Sequence, residues 1–143
     1  MIDKSSEFWR GTEASDITVW LSEYVESKNV DMKPIVCHEC GFRVFTMRYD
    51  EDEGAAEVEC AKCHTKKKLL DSEEYWEDAE PVVHKCPICK EKKHEYEIAF
   101  VRRVTGDVKW VYFGHRCVKC GLLGSCLDWH IDYGPTDEME QNI

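Results

Sequence analysis

Apolar residues recur at helical spacing near the start of the chain. Ile17, Leu21 and Val25 stand four residues apart, and Trp20 lies beside them on the same face. Spacings of three and four residues place side chains on one side of a helix. The pattern predicts an amphipathic helix over residues 15–28 that packs against the rest of the protein.

Further along, the pattern becomes that of strands and turns. Segments rich in strand formers flank two turns that each contain glycine, and the first turn is strongly acidic. The predicted arms are residues 42–49 and 56–59 in the first hairpin, and 95–101 and 108–113 in the second. Apolar and polar residues alternate again over residues 127–133, which predicts a half-buried C-terminal strand. Residues 72–78 are predicted to form a short acidic helix between the hairpins.

Eight of the nine cysteines bracket these hairpins in four Cys-x-x-Cys pairs. The pairs are Cys37/Cys40, Cys60/Cys63, Cys86/Cys89 and Cys117/Cys120. Two residues between cysteines allow a tight turn to direct both sulfurs at one metal ion, and two such turns supply the four thiolates of a tetrahedral zinc site. The sequence therefore predicts two zinc ions per chain. Sequential pairing of the turns is favoured over a cross-braced arrangement because each hairpin lies within one gap.

Other uses of the cysteines are less consistent with the sequence. A disulfide framework is typical of exported chains, but the cysteine number is odd and residues 1–7 carry no apolar leader. A thioredoxin-like motif uses one pair, whereas this chain has four. Iron held by four thiolates, in an electron-transfer protein, is chemically reasonable and stays an alternative to zinc. Cys126, the unpaired cysteine, is interpreted as a small buried apolar residue.

The repeated unit resembles the zinc ribbon family. Cys37-His38-Glu39-Cys40-Gly41 and Cys117-Val118-Lys119-Cys120-Gly121 match its cysteine turn with a trailing glycine, whereas His64 and Lys90 replace the glycine in the other two turns. The resemblance implies a small, metal-stabilised α+β fold of two tandem ribbons with an N-terminal helix and a C-terminal strand. The expected segments are a helical segment 1–36, ribbons 37–63 and 86–120, a linker 64–85, and a strand with an acidic tail, 121–143. Ribbons this short fall below the roughly 40 residues at which a domain folds without a metal or disulfide.

The net charge of the chain favours some classes of binding partner over others. The 143 residues carry a formal net charge of −10. Apolar residues make up 43% of the chain, and 16 residues are aromatic. An excess of carboxylates disfavours general nucleic-acid binding and favours a basic protein partner. Aromatic side chains are suited to anchoring such an interface. We therefore predict a non-catalytic zinc protein that acts by protein–protein recognition, as an adaptor, regulator or inhibitor, one form of which is an immunity protein for a basic nuclease toxin.

The alternative function is nucleic-acid binding through the second ribbon. Lysine and arginine outnumber carboxylates only in residues 86–120. Stackable rings alternate with cations on the predicted hairpin, a combination that suits single strands. The candidate residues are Arg102, Arg103, Lys109, Trp110 and Tyr112.

Catalysis, membrane insertion and export are not expected. The sequence holds no HExxH, Walker or GxSxG motif, and two four-thiolate sites leave no open coordination position. Any of His38, His64, His84 and His115 could replace a cysteine ligand, but the four complete pairs make this unnecessary. No apolar run approaches the length of a membrane span. We expect a cytoplasmic protein of undefined oligomeric state.

Overall fold

One antiparallel sheet of eight strands organises residues 1–143 in the computed structural model. Its strands are β1 (Val30–Pro34), β2 (Val44–Asp50), β3 (Ala55–Cys60), β4 (Lys66–Lys68), β5 (Val82–Val83), β6 (His94–Arg102), β7 (Val108–Cys117) and β8 (Leu123–His130). The helices are α1 (Ser15–Tyr24), α2 (Ser72–Tyr75) and α3 (Asp137–Glu140), with a 3-10 turn at Trp76–Asp78. The protein therefore has the small α+β fold expected from the sequence.

The sheet joins the two cysteine units, residues 37–63 and 86–120. Its main strand order is β4-β3-β2-β6-β7-β8, with β1 added on β6 and β5 on β2. Strand β6 pairs with β2 only at its beginning, through residues 94 and 95, and with β1 along residues 97–101. The hairpins predicted at β2–β3 and β6–β7 are therefore parts of one continuous sheet, an arrangement compatible with tandem ribbon-like units.

Helix α1 covers one face of this sheet. Ile17 and Leu21 are fully buried and Val25 nearly so, as the four-residue spacing predicts. Asp16 accepts hydrogen bonds from the backbone N–H groups of Thr12 and Glu13, which fixes the entry into the helix. The helix is shorter than predicted and ends at Tyr24, because Val25 turns to an extended conformation (φ −90°, ψ 101°). None of the helices combines the length and apolar character needed to cross a bilayer.

The opposite face of the sheet forms the larger core. Tyr96, Ile98 and Phe100 of β6 alternate toward this side with Val111 and Phe113 of β7, as the two-residue repeat of a strand requires.

The C-terminal segment also differs from expectation. Strand β8 begins at Leu123 rather than near residue 127. The acidic end folds back through α3, where Met139 is buried in the core and the Glu140 carboxylate contacts the Arg102 guanidinium at 2.6 Å. Asn142 then accepts a backbone hydrogen bond from Leu70. These contacts hold the last residues against β6 and the linker.

Candidate metal centres

All four Cys-x-x-Cys pairs form the same turn, which we call a knuckle. In each, the N–H of the residue after the second cysteine donates to the carbonyl of the first cysteine at 2.8 to 3.0 Å. These bonds run from Gly41 to Cys37, His64 to Cys60, Lys90 to Cys86 and Gly121 to Cys117. The N–H of each first cysteine also donates to the carbonyl five residues further on. Each knuckle is therefore held by its own backbone hydrogen bonds. The hairpins then determine which knuckles lie together.

The residue that follows each knuckle adopts a left-handed backbone conformation. Gly41 and Gly121 have φ of 76° and 79°, which glycine adopts without a steric penalty. His64 and Lys90, which depart from the ribbon pattern, take up the same conformation with φ of 65° and 67°. The turn geometry is thus retained at all four positions, at a conformational cost of about 1 kcal/mol for each non-glycine residue.

Strand pairing brings the knuckles together in sequential order. Cys60 ends β3 opposite Phe45, and Cys117 ends β7 opposite His94, so each hairpin returns its second knuckle to its first. The first cysteine cluster contains Cys37, Cys40, Cys60 and Cys63, and the second contains Cys86, Cys89, Cys117 and Cys120. The structure therefore has two separate four-sulfur clusters and no cross-braced arrangement.

The sulfur spacing tests whether the clusters fit a metal ion. Across the two knuckles of each cluster, Sγ atoms approach to 3.5 Å in the first and to 3.5 and 3.6 Å in the second. Sulfurs bound tetrahedrally at about 2.3 Å from zinc would lie about 3.8 Å apart, whereas a disulfide requires about 2.05 Å. All nine cysteines are free thiols. Both clusters therefore fit a tetrahedral metal ion and could hold one each.

Local hydrogen bonds favour ionisation of thiols in both clusters. The Thr65 hydroxyl and backbone N–H lower the pKa of Cys63 to about 6. The backbone N–H of Glu91 lowers the pKa of Cys89 to about 7. Because metal ligands must be thiolates, these two residues are prepared for coordination at neutral pH.

The clusters differ in their exposure. The first cysteine of every knuckle is buried, but the second cysteines, Cys40 and Cys63, are exposed in the first cluster, whereas Cys89 and Cys120 are only partly exposed in the second. The second cluster is therefore the more deeply enclosed, and Cys126 lies outside both.

The candidate nucleic-acid residues do not form a free basic surface. The Arg102 guanidinium contacts the carboxylates of Asp31 and Glu140, both at 2.6 Å. Arg103 donates to the carbonyl of Ile131, and the Trp110 indole N–H donates to Asp128. Trp110 and Tyr112 stack with centroids 6.3 Å apart, while Lys109 is exposed. The structure brings the two rings together but engages both arginines with internal partners.

A third group of side chains that could hold a metal ion was not apparent from the sequence. His84, His94 and His115 are buried together beside the second cysteine cluster. His84 and His115 precede knuckle cysteines by two residues, the one sequence signal that could have drawn attention to them. His94 carries no such signal, because strand register alone brings it to the others.

Comparisons with known proteins identify no relative of this chain. No family model matches the chain, and no curated protein or solved structure gives a significant match.

Proposed function

We propose that the eight clustered cysteines bind two zinc ions and that both ions are structural. The observation that carries this is the convergence of four equivalent knuckles into two clusters of four thiols each. Four thiolates fill the coordination sphere of zinc, so neither ion has an open position for water or substrate. Zinc is preferred to iron because the ribbon-like hairpins and closed thiolate shells are typical of structural zinc.

We further propose that the protein acts without catalysis, by recognising a basic protein partner. Support comes from a concave surface with a volume of about 470 Å³ that is lined by carboxylates. Its acidic residues are Glu51, Asp52, Glu53, Asp71, Asp128 and Asp132, and neither lysine nor arginine lines it. A second concavity of about 470 Å³ adjoins it through Asp71 and Tyr133 and adds Glu73, Glu74 and Glu138. Together these two concavities are called the acidic face.

The chemistry of the acidic face indicates the class of partner. Carboxylates that converge on a concave surface create a negative potential, which attracts lysine- and arginine-rich surfaces and accelerates association. Tyr75 and Tyr133 lie among them and can pack against the aliphatic parts or guanidinium groups of the partner. An inhibitor that covers the phosphate-binding cleft of a basic nuclease has these properties, so an immunity protein is the specific form we propose.

A binding titration with matched variants tests the acidic face. The probe is a synthetic lysine- and arginine-rich peptide, titrated at low and moderate salt. Neutralising Glu51, Glu53 and Asp132 to the corresponding amides should weaken binding about tenfold, since each exposed ion pair contributes roughly 0.2–1 kcal/mol. Neutralising the exposed Glu13, Glu26 and Glu39 removes the same charge elsewhere and should change the affinity less than about twofold.

Equal weakening by both triple variants would show that only net charge matters and would refute the acidic face as a site. A parallel titration with labelled single-stranded DNA addresses the alternative function. Micromolar DNA binding that is lost in an Arg103→Gln, Lys109→Gln variant would favour the second hairpin as a nucleic-acid surface instead.

A further inference from the structure

We propose that His84, His94 and His115 form a third metal site, which binds a zinc ion through three imidazole nitrogens. This site is separate from both cysteine clusters and does not depend on the proposed recognition function. The three side chains are only 5%, 0% and 5% exposed. One ring nitrogen from each lies within 4.8 Å of the others.

The strand register places two of the ligands. His94 begins β6 opposite Cys117, and His115 lies in β7 opposite Tyr96. The two histidines are therefore diagonal neighbours on one face of the sheet, at a distance that large side chains can bridge. His84 follows β5, where its backbone N–H donates to the carbonyl of Met47 in β2.

The three imidazole rings lie close enough together to surround one metal ion. The ring of His84 lies 4.2 Å from that of His94 and 4.6 Å from that of His115, measured between centroids, and the last two are 5.1 Å apart. Nitrogens bound tetrahedrally at about 2.0–2.1 Å from zinc lie about 3.4 Å from each other. Closure around the ion requires the three rings to rotate until these nitrogens come closer together than they are here.

Hydrogen bonding leaves His94 with a free lone pair in the interior. Its Nδ1 lies 3.0 Å from the carbonyl oxygen of Lys92, which can only accept, so Nδ1 carries the proton. Nε2 is then an acceptor, and it is buried without a hydrogen-bond partner. A proton on Nδ1 held by a backbone carbonyl, with Nε2 free, is the arrangement found in metal-bound histidines.

The other two histidines complete the donor set. Nδ1 of His115 is also buried and unpartnered. His84 Nδ1 lies 2.7 Å from the hydroxyl oxygen of Tyr96, so donation to that oxygen leaves Nε2 as the third ligand. Buried polar atoms without partners are rare in folded proteins, and here two of them belong to one cluster of three imidazoles. A shared metal ion accounts for both.

The surroundings also suit a cation and this particular ring arrangement. The three imidazoles are neutral ligands, and a zinc-loaded second cysteine cluster, with four thiolates and one dication, would supply a neighbouring charge of −2. Gly124 pairs with His115 across β7 and β8. A Cβ atom at Gly124 would lie 3.1 Å from His115 Nε2, so glycine leaves the ring room to adjust.

Metal stoichiometry of the folded, full-length protein tests the proposal. After loading with excess zinc and desalting, the wild type should contain one more ion per chain than His94→Gln and His115→Gln. The matched control is His130→Gln, an exposed histidine in β8, which should keep the full content. Loss of one ligand should weaken binding at this site more than about 100-fold.

A second measurement on the wild type alone guards against variants that fail to fold. Histidine ring ¹⁵N shifts are recorded while zinc is added to protein whose cysteine clusters are already full. We expect His94 Nε2 to shift on addition of the last equivalent. Cobalt loading distinguishes the sites, because thiolate-to-cobalt absorption reports only the cysteine clusters. Unchanged histidine shifts, or equal metal content in folded wild type and His94→Gln, would refute the third site whatever the cysteine clusters bind.

Discussion

Phe45 in β2 lies directly opposite His94 in β6, and this pairing joins the two cysteine units into one sheet. Both residues are buried, Phe45 in the main core and His94 in the histidine cluster. The backbone pairing between β2 and β6 spans only two residue pairs. Most of the stabilisation between the two cysteine units therefore comes from burial of apolar side chains. The histidine cluster therefore lies where the units meet, close to the second cysteine cluster.

Removal of one thiolate should unfold its unit. Cys60 is fully buried in the first cysteine cluster, and a structural zinc ion contributes on the order of 10–16 kcal/mol of binding free energy to folding. We expect Cys60→Ser to lose one metal ion per chain and the cooperative thermal transition. Elemental analysis and circular dichroism measure these two properties.

Cys126 provides the matched control because it lies outside both clusters. Cys126→Ala should keep the full metal content and lose only about 1 kcal/mol of stability. Retention of metal and of the transition in Cys60→Ser would contradict the structural role. Strong visible absorption of the purified protein would identify iron in place of zinc.

Alanine at two equivalent glycines should have unequal effects. Gly41 and Gly121 share a left-handed φ, but a Cβ at Gly41 would meet no atom within 4 Å, whereas at Gly121 it would lie 2.6 Å from the Gly11 carbonyl oxygen. We expect Gly41→Ala to cost about 1 kcal/mol from the backbone conformation alone. Gly121→Ala should cost about 1–3 kcal/mol more, through overpacking. Urea denaturation of the metal-loaded variants measures the difference, and equal losses would contradict it.

The docking of α1 depends on a glycine in β7. A Cβ at Gly114 would lie 2.7 Å from Cδ1 of Leu21, so Gly114→Ala should displace the helix at a cost of about 1–3 kcal/mol. Leu21→Ala alone should cost about 2–5 kcal/mol. The double variant should lose less than the two single losses combined, because the smaller side chain leaves room for the new methyl group. Additive losses in a denaturation cycle would disprove this contact.

Glu97 should make stability depend on pH. Burial raises its pKa above the ordinary 4.5, although both carboxylate oxygens accept from the Thr18 hydroxyl, at 2.7 and 2.8 Å. Between pH 4.5 and the raised value, the folded protein holds a proton that the unfolded chain has released. This contribution to stability is complete below pH 4.5 and is lost as the pH rises through the folded pKa.

Glu97→Gln cannot ionise and keeps a hydrogen-bonding group of the same shape. The variant should therefore gain stability relative to wild type as the pH rises from 4.5 toward neutrality. Comparing the two proteins at each pH cancels the effect of acid on the cysteine ligands, which is common to both. A difference that does not change with pH would contradict the raised pKa.

Elements with a local signal were predicted well. The four-residue repeat of Ile17, Leu21 and Val25 located α1, and the cysteine spacing located all four knuckles. Both hairpins follow from strand-forming segments that flank a turn. Strands β1, β4 and β5 were missed. The pairing partners of β1 and β5 are distant in sequence, and β4 is three lysines within the segment predicted to be a linker. The helix end at Tyr24 and the fold-back of α3 likewise depend on contacts that no local window contains.

The sequence by itself determined the knuckles, the hairpins and the helix face, because each is encoded by spacings of a few residues. Tertiary structure alone decided that β2 pairs with β6, that Arg102 is held by Asp31 and Glu140, and that three histidines from residues 84–115 meet in the interior. Such contacts depend on which buried surfaces come together across the sheet. The periodicity of the sequence does not specify these contacts, since burial is a property of the assembled core rather than of any one segment.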